Sequence, residues 1–123
     1  MKKILIVEDS FYMSKVLGDI LSGKYKVVKA YSGIEAIKTF VNEKPDLVLL
    51  DIILPEGKDE GMRVLKEIKQ LNPNAKVIMV SALGSDYTIE ECKKYGVIDF
   101  FVKPYDTKKL IDLIAKVFAK WTL

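Results

Sequence analysis

The sequence predicts an α/β protein, a parallel five-stranded sheet doubly wound by helices on its two faces. Two observations carry that prediction. Short apolar, β-branched runs bounded by charged or turn residues alternate along the whole chain with stretches whose apolar residues repeat at helical spacing. No Gly/Pro-rich linker, repeat or low-complexity segment interrupts the alternation, and 123 residues suit one domain with a substantial core.

The strands are expected at Ile4–Val7, Val27–Val28, Leu47–Leu50, Val77–Val80 and Val97–Val102. Runs of this kind suit strands buried on both faces of a parallel sheet. Between the first two, Met13, Val16, Leu17, Ile20 and Leu21 form an i, i+3, i+4, i+7, i+8 stripe, with Gly23 as a stop signal. Ser32-Gly-Ile-Glu35 has the spacing of a capping box and opens a second helix that turns Ala36, Ile37, Phe40 and Val41 inward. Leu65, Ile68 and Leu71 mark a third helix, ended by Asn72-Pro73. A fourth starts at Ser85 or Asp86 and stops before Gly96, read as a left-handed cap. The fifth starts near Asp106 and aligns Leu110, Ile111, Leu113, Ile114, Val117, Phe118 and Trp121. Strict βα alternation implies right-handed crossovers.

Composition removes several kinds of chemistry. Histidine is absent, so this chain supplies no imidazole to a nucleophile pair, a zinc site or a phosphohistidine. The single Cys92 forbids an intrachain disulfide and suits a reducing compartment, so a cytoplasmic location is expected. Met1-Lys-Lys3 leads into only four apolar residues, and nothing approaches the roughly 18–20 apolar residues of a membrane span. The net charge of +3 is spread along the chain on 19 lysines and one arginine, which argues against direct nucleic-acid binding.

In a doubly wound sheet the ligand site lies beyond the carboxyl ends of the strands, where strand order reverses. The residues at those ends are Glu8 and Asp9, Tyr31 and Ser32, Asp51, Ser81-Ala82, and Lys103-Pro104. Three carboxylates a few ångströms apart raise one another's pKa unless a cation sits among them. All-oxygen ligands suit a hard ion, and Mg²⁺ is expected, with Mn²⁺ as a substitute. A metal held by Glu8 and Asp9 would leave Asp51 ionised beside it as an oxygen nucleophile. With Lys103 and Ser81 each taking a phosphoryl oxygen, the five residues form a complete phosphoacceptor site.

At these residues the chain resembles the receiver domains of two-component response regulators, over essentially its whole length. The matching pieces are Ile4-Leu-Ile-Val-Glu-Asp-Ser10, Leu47-Val-Leu-Leu-Asp-Ile-Ile-Leu-Pro55, Val77-Ile-Met-Val-Ser-Ala82 and Asp99-Phe-Phe-Val-Lys-Pro104. The switch-point rule is itself drawn in part from a chemotaxis member of that family. The resemblance implies a flavodoxin-like three-layer sandwich with strand order 2-1-3-4-5. It further implies that Asp51 takes a phosphoryl group from a phosphohistidine of a sensor histidine kinase or a histidine phosphotransfer protein. Glu8, Asp9, Asp51 and the main-chain carbonyl of Ile53 would hold the metal. Ser81 and Phe100 would be the switch residues, and Lys103 would pair with the phosphate across a cis Lys103-Pro104 bond.

On this reading residues 1–123 are one receiver without an output domain, and Trp121-Thr-Leu123 is taken as a natural end. The chain is then a signalling phosphoacceptor rather than an enzyme, assisting only its own phosphorylation and slow dephosphorylation. Its readout is a downstream protein, met through helix four, strand five and helix five with Tyr87, Val102 and Tyr105.

Three departures from the family pattern stand out. Gly61 lies two residues later than its family counterpart, so the loop after strand three is longer. Phe100 has no hydroxyl. Ile53 and Leu83, two residues beyond Asp51 and Ser81, are apolar where polar side chains orient water, so slow self-dephosphorylation is expected.

Blander readings exist for each residue. Glu8-Asp9-Ser10 would serve as a helix cap, Asp51 as a strand-end acid and Lys103 as a surface lysine. Cys92 reads as a packed residue, Gly57 and Gly61 as turn residues, and Asp59 as the cap of helix three. Three other functions compete: an interaction module that is never phosphorylated, a flavin- or nucleotide-binding protein, and a haloacid-type hydrolase. The acidic Glu8-Asp9 opposes a phosphate-binding loop, and Ile53 stands where the hydrolases carry a second Asp.

Overall fold

The computed structural model describes residues 1–121, the side chain of Trp121 excepted. The elements are β1 (Lys3–Val7), α1 (Phe11–Leu21), β2 (Lys26–Ala30), α2 (Gly33–Glu43), β3 (Leu47–Leu50), α3 (Glu60–Leu71), β4 (Val77–Ser81), α4 (Asp86–Lys94), β5 (Asp99–Val102) and α5 (Thr107–Trp121). All strand pairs are parallel, in the order β2-β1-β3-β4-β5. The predicted doubly wound architecture is therefore the observed one.

The central strands are two-faced. Leu5, Val7, Val48, Leu50, Val77 and Met79 point to one side, where Ala36, Phe40, Val64, Leu65, Ile68 and Cys92 of α2, α3 and α4 cover them. Ile4, Ile6, Leu47, Leu49, Ile78 and Val80 point to the other, under Leu17 and Leu21 of α1 and Leu110, Ile114, Val117 and Phe118 of α5. Strand alternation thus divides each apolar run between two cores. The edge strands differ: β2 and β5 are mostly half-buried or exposed, and β5 begins at Asp99 rather than Val97.

Helix capping follows the side chains. Ser10, Ser32 and Ser85 each accept a hydrogen bond from the backbone N–H three residues on, at 3.2 Å. Glu35 reaches back to the N–H of Tyr31 at 2.9 Å, one residue short of the capping-box partner. Gly96 has φ of 80° and ends α4 as predicted.

The helical stripes need correction. In α1 the buried set is Ser14, Leu17, Gly18 and Leu21, while Met13, Val16 and Ile20 are exposed. The small Ser14 and Gly18 let the helix lie close to the sheet, and this rotates the larger apolar residues outward. Val41 and Leu71, expected inside, are 50% and 52% exposed at the ends of their helices. Gly23 is not in the left-handed region, and Ser22 is the C-cap of α1. Asp59 stands at the N-cap position of α3 but makes no side-chain cap hydrogen bond. In α5, Leu110, Ile114, Val117 and Phe118 are buried as expected, whereas the Trp121 side chain and residues 122–123 lie outside the described residues.

Cys92 is a packed residue. It is fully buried, its thiol lies 3.4 Å from the Met62 sulfur, and burial pushes its pKa up from 9.0 to about 11, with the charge of Glu91 adding to the rise. Because the folded state holds this proton more tightly, its contribution to stability is complete below pH 9 and is lost as pH rises from 9.0 through about 11. At pH 8 the native protein should react with a thiol reagent at least tenfold more slowly than the urea-unfolded chain, in a timed absorbance assay. Equal rates would place the thiol at the surface.

Candidate functional site

Main-chain bonds carry the sheet ladder one residue past the strands and fix the rim. Val7 pairs with both Ala30 and Leu50, and Leu50 pairs with Met79, so β1, β2 and β3 end level while β4 and β5 run two residues further, to Ser81 and Val102. Beyond them the N–H of Glu8 donates to Ala30, that of Asp51 to Val7, and that of Lys103 to Ser81, at 3.0–3.1 Å. Glu8, Asp51, Ser81 and Lys103 are thereby set side by side over four adjacent strands.

Their side chains converge on Asp51. Its Oδ1 accepts from the Ser81 hydroxyl at 2.7 Å and from the Ile53 N–H at 3.1 Å. Its Oδ2 accepts from Lys103 Nζ at 2.8 Å, and the same ammonium donates to Glu8 Oε1. Asp51, Glu8 and Ser81 are all buried. Burial pushes the Glu8 carboxyl up, and the nearby charge of Asp51 adds to this against the pull of Lys103. Burial alone would lower Lys103, but its hydrogen bonds to Asp51 and Glu8 outweigh that and hold it above its ordinary value. The lysine is a fixed cation. Its link to Pro104 is cis, as the resemblance implied.

Asp9 departs from the expected trio. Its side chain is exposed, and among the described residues no three Asp, Glu or Cys side chains gather as a metal cluster. Two carboxylates and the ammonium meet instead, with Asp9 adjoining Glu8 at the solvent edge. Ser10 caps α1 and its N–H donates to Glu8 Oε2 at 3.2 Å, while Glu8 Oε1 accepts from Lys103, so Glu8 serves both the start of the helix and the cluster around Asp51. The donor set still suits a hard cation. Glu8 and Asp51 are buried carboxylates sharing one positive charge, Asp9 opens to solvent beside them, and every donor is oxygen.

Phe100 is half-buried against the α2–α4 core, and Ile53 is 39% exposed at the rim. Tyr105 is half-buried against the α1–α5 core, where burial raises its phenol, and it meets Phe101 edge-on. Gly84 lies against Val102: a Cβ there would approach the valine Cγ2 to 2.5 Å. The loop after Ser81 is thus packed directly on β5.

Two features of the β3–α3 segment were not legible in the sequence. Gly61 is a helical residue rather than a turn residue, and its N–H donates to Ile52 at 2.8 Å. A Cβ at 61 would lie 2.1 Å from the Asp51 carbonyl oxygen, so only glycine lets α3 approach the end of β3. Glu56 spans to α2, accepting from the N–H groups of Gly33 at 3.0 Å and Ile34 at 2.9 Å. The Gly33 bond leads in holding Glu56 below the usual carboxylate range. More than twenty residues separate these partners, and no sequence spacing announces them.

The family model of the response regulator receiver domain matches residues 4–115. The chemotaxis protein CheY of Thermotoga maritima is 38% identical over 118 residues, covering 94% of this chain and 97% of that one. A CheY-like receiver domain protein from Methanospirillum hungatei superposes with a TM-score of 0.90 at 29% identity, covering 98% of this chain and 95% of that one. The CheX-CheY-BeF3-Mg²⁺ complex from Borrelia burgdorferi matches with a TM-score of 0.84 at 35% identity, covering 95% of this chain and 89% of that one. The chain belongs to the response regulator receiver domains, the phosphoacceptor signalling domains of two-component systems. Receiver domains bind Mg²⁺.

Gly61→Ala should destabilise the fold by about 1–3 kcal/mol, because backbone atoms of Asp51 and Ile52 must give way. Urea denaturation measures this. An unchanged midpoint would mean that α3 does not press on the Asp51-Ile52 backbone.

Proposed function

We propose that Asp51 is the phosphoacceptor and that this chain acts as a receiver over residues 1–123, signalling by non-covalent contact. The observation that carries this reading is the convergence of the Ser81 hydroxyl and the Lys103 ammonium on the two oxygens of one buried carboxylate. A carboxylate oxygen of Asp51 attacks phosphorus, the P–N bond of a partner's phosphohistidine breaks, and the released imidazole takes a proton. Lys103 and Ser81 already stand where the new phosphoryl oxygens arrive, so little reorganisation accompanies the charge they meet. Glu8, Asp9, Asp51 and the Ile53 carbonyl would hold Mg²⁺, with Mn²⁺ as a substitute. Bound there, the ion would neutralise charge on the phosphoryl oxygens. The protein assists only its own phosphorylation and dephosphorylation and turns over no separate substrate.

The switch is read as Ser81 and Phe100, and the output surface as α4, β5 and α5. Ser81 begins the loop that packs on Val102 through Gly84, and exposed Tyr87 and Val102 flank it, with half-buried Tyr105 beyond. A shift of Ser81 toward a phosphate would therefore reach β5 and α4 by direct contact, biasing a two-state surface. The donor would be a sensor histidine kinase or a histidine phosphotransfer protein, and the readout a downstream protein. No described helix is long and apolar enough to cross a membrane. We place the protein in the cytoplasm, with its kinase's transmitter portion.

Intact-protein mass after incubation with acetyl phosphate tests the acceptor. A gain of about 80 Da should require Mg²⁺ and vanish in Asp51→Asn. A folded wild type that gains no mass under any condition would leave an interaction module independent of phosphorylation. The phosphate lifetime tests the apolar rim. Ile53→Asn with Leu83→Glu should shorten it at least fivefold, since polar side chains there orient the attacking water. An unchanged decay rate would show that Ile53 and Leu83 do not shield the acyl phosphate.

A further inference from the structure

The longer β3–α3 loop is not free. Leu54 and Gly57 exchange backbone hydrogen bonds at 3.2 and 2.9 Å, closing a tight turn with Pro55 and Glu56 at its tip. Glu56 bridges from that tip to the first two N–H groups of α2, one carboxylate oxygen on each. Ser32 Oγ takes the third N–H, and the Ser32 carbonyl accepts the fourth, from Ala36. The orphan donors of α2 are thus shared between its own cap and a residue from another loop.

The same helix end is approached a second time. A Cβ at Gly33 would lie 2.3 Å from the Glu60 carboxylate, which Arg63 holds through two hydrogen bonds at 2.8–2.9 Å. Gly61, next along, presses on the Asp51 backbone. The loop is therefore fastened at its tip by Glu56 and at its end by Glu60 and Gly61. Only Ile53 separates Asp51-Ile52 from that turn.

We infer that Glu56 is a positioning residue for the metal site: by clamping the 54–57 turn to the N-terminus of α2, it holds in place the Ile53 main chain, whose carbonyl would be a ligand of the cation. The inference rests on the proposed metal reading, which assigns that carbonyl as a ligand. A charged carboxylate suits the task. Its two oxygens match two converging N–H donors, and the positive end of the helix dipole favours it. Loss of the clamp would free the turn while leaving Glu8, Ser81 and Lys103 in place on their strands. The metal would then bind more weakly without any ligand having been removed.

The test is calorimetric titration of the full chain with Mg²⁺ alone, comparing wild type with Glu56→Gln, Glu56→Ala and Asp59→Asn. Asp59 is exposed on the same loop and makes no side-chain cap bond, so its variant removes an equal charge without touching the clamp. Both Glu56 variants should weaken Mg²⁺ binding at least fivefold, and Asp59→Asn less than twofold. The difference should persist at about 0.5 M salt, where through-space attraction between exposed charges is screened. Linkage gives a reading on the wild type that needs no variant: Mg²⁺ should slow hydrogen exchange of the Gly33 and Ile34 amides. Glu56 variants that bind like Asp59→Asn, or amide exchange indifferent to Mg²⁺, would reduce Glu56 to a helix cap. A wild type that binds no Mg²⁺ would instead overturn the metal reading itself.

Discussion

The ammonium of Lys103 between Glu8 and Asp51 is the contact on which the rim depends. Parallel pairing of β1 with β3 brings two carboxylates to adjacent strand ends, and the helices on both sides exclude water from them. Two buried negative charges in such a place are costly unless a cation is shared between them. Lys103 reaches them only because the N–H beyond β5 bonds to Ser81 at the end of β4, which sets the lysine over the neighbouring strands. The interaction is better understood as poise than as stabilisation, since its desolvation offsets much of its attraction. It keeps Asp51 partnered by donors that, on the proposed reading, an incoming phosphoryl group would use.

The surroundings of Asp51 are built from close approaches rather than from long side chains. Gly61 lets α3 reach the Asp51 carbonyl, and Gly84 lets the loop after Ser81 lie against Val102. Each contact makes a movement at the site felt elsewhere: Gly61 meets the Asp51 backbone directly, and Gly84 meets the short, branched Val102 side chain, which has little rotamer freedom to absorb it. The inserted loop fits the same pattern, since Glu56 ties it to the start of α2 instead of leaving it to solvent.

Much of this protein was legible from the sequence. Apolar runs at 4–7, 47–50 and 77–80 alternate with helical periodicity, which requires parallel strands covered on both faces and places Glu8, Asp51, Ser81 and Lys103 at one edge. The serine caps at 10, 32 and 85 and the left-handed Gly96 are local, and local chemistry decides them. Apolar spacing points to the wrong face of α1 because periodicity counts apolar residues, whereas the close packing at Ser14 and Gly18 depends on the sheet beneath. Helix ends misled in the same way: Val41 and Leu71 continue the apolar spacing past the point where anything covers them.

The sequence by itself determined the doubly wound parallel class, the candidate acceptor and the cation facing it, because these follow from residue type at strand ends and from the limited ways a βα chain can wind. Only the tertiary structure decided that Asp9 stands apart, that Gly61 abuts Asp51, and that Glu56 joins the N-terminus of α2. Those are distances between segments far apart along the chain. They are set by how closely helices settle on the sheet, and no spacing in one dimension encodes that.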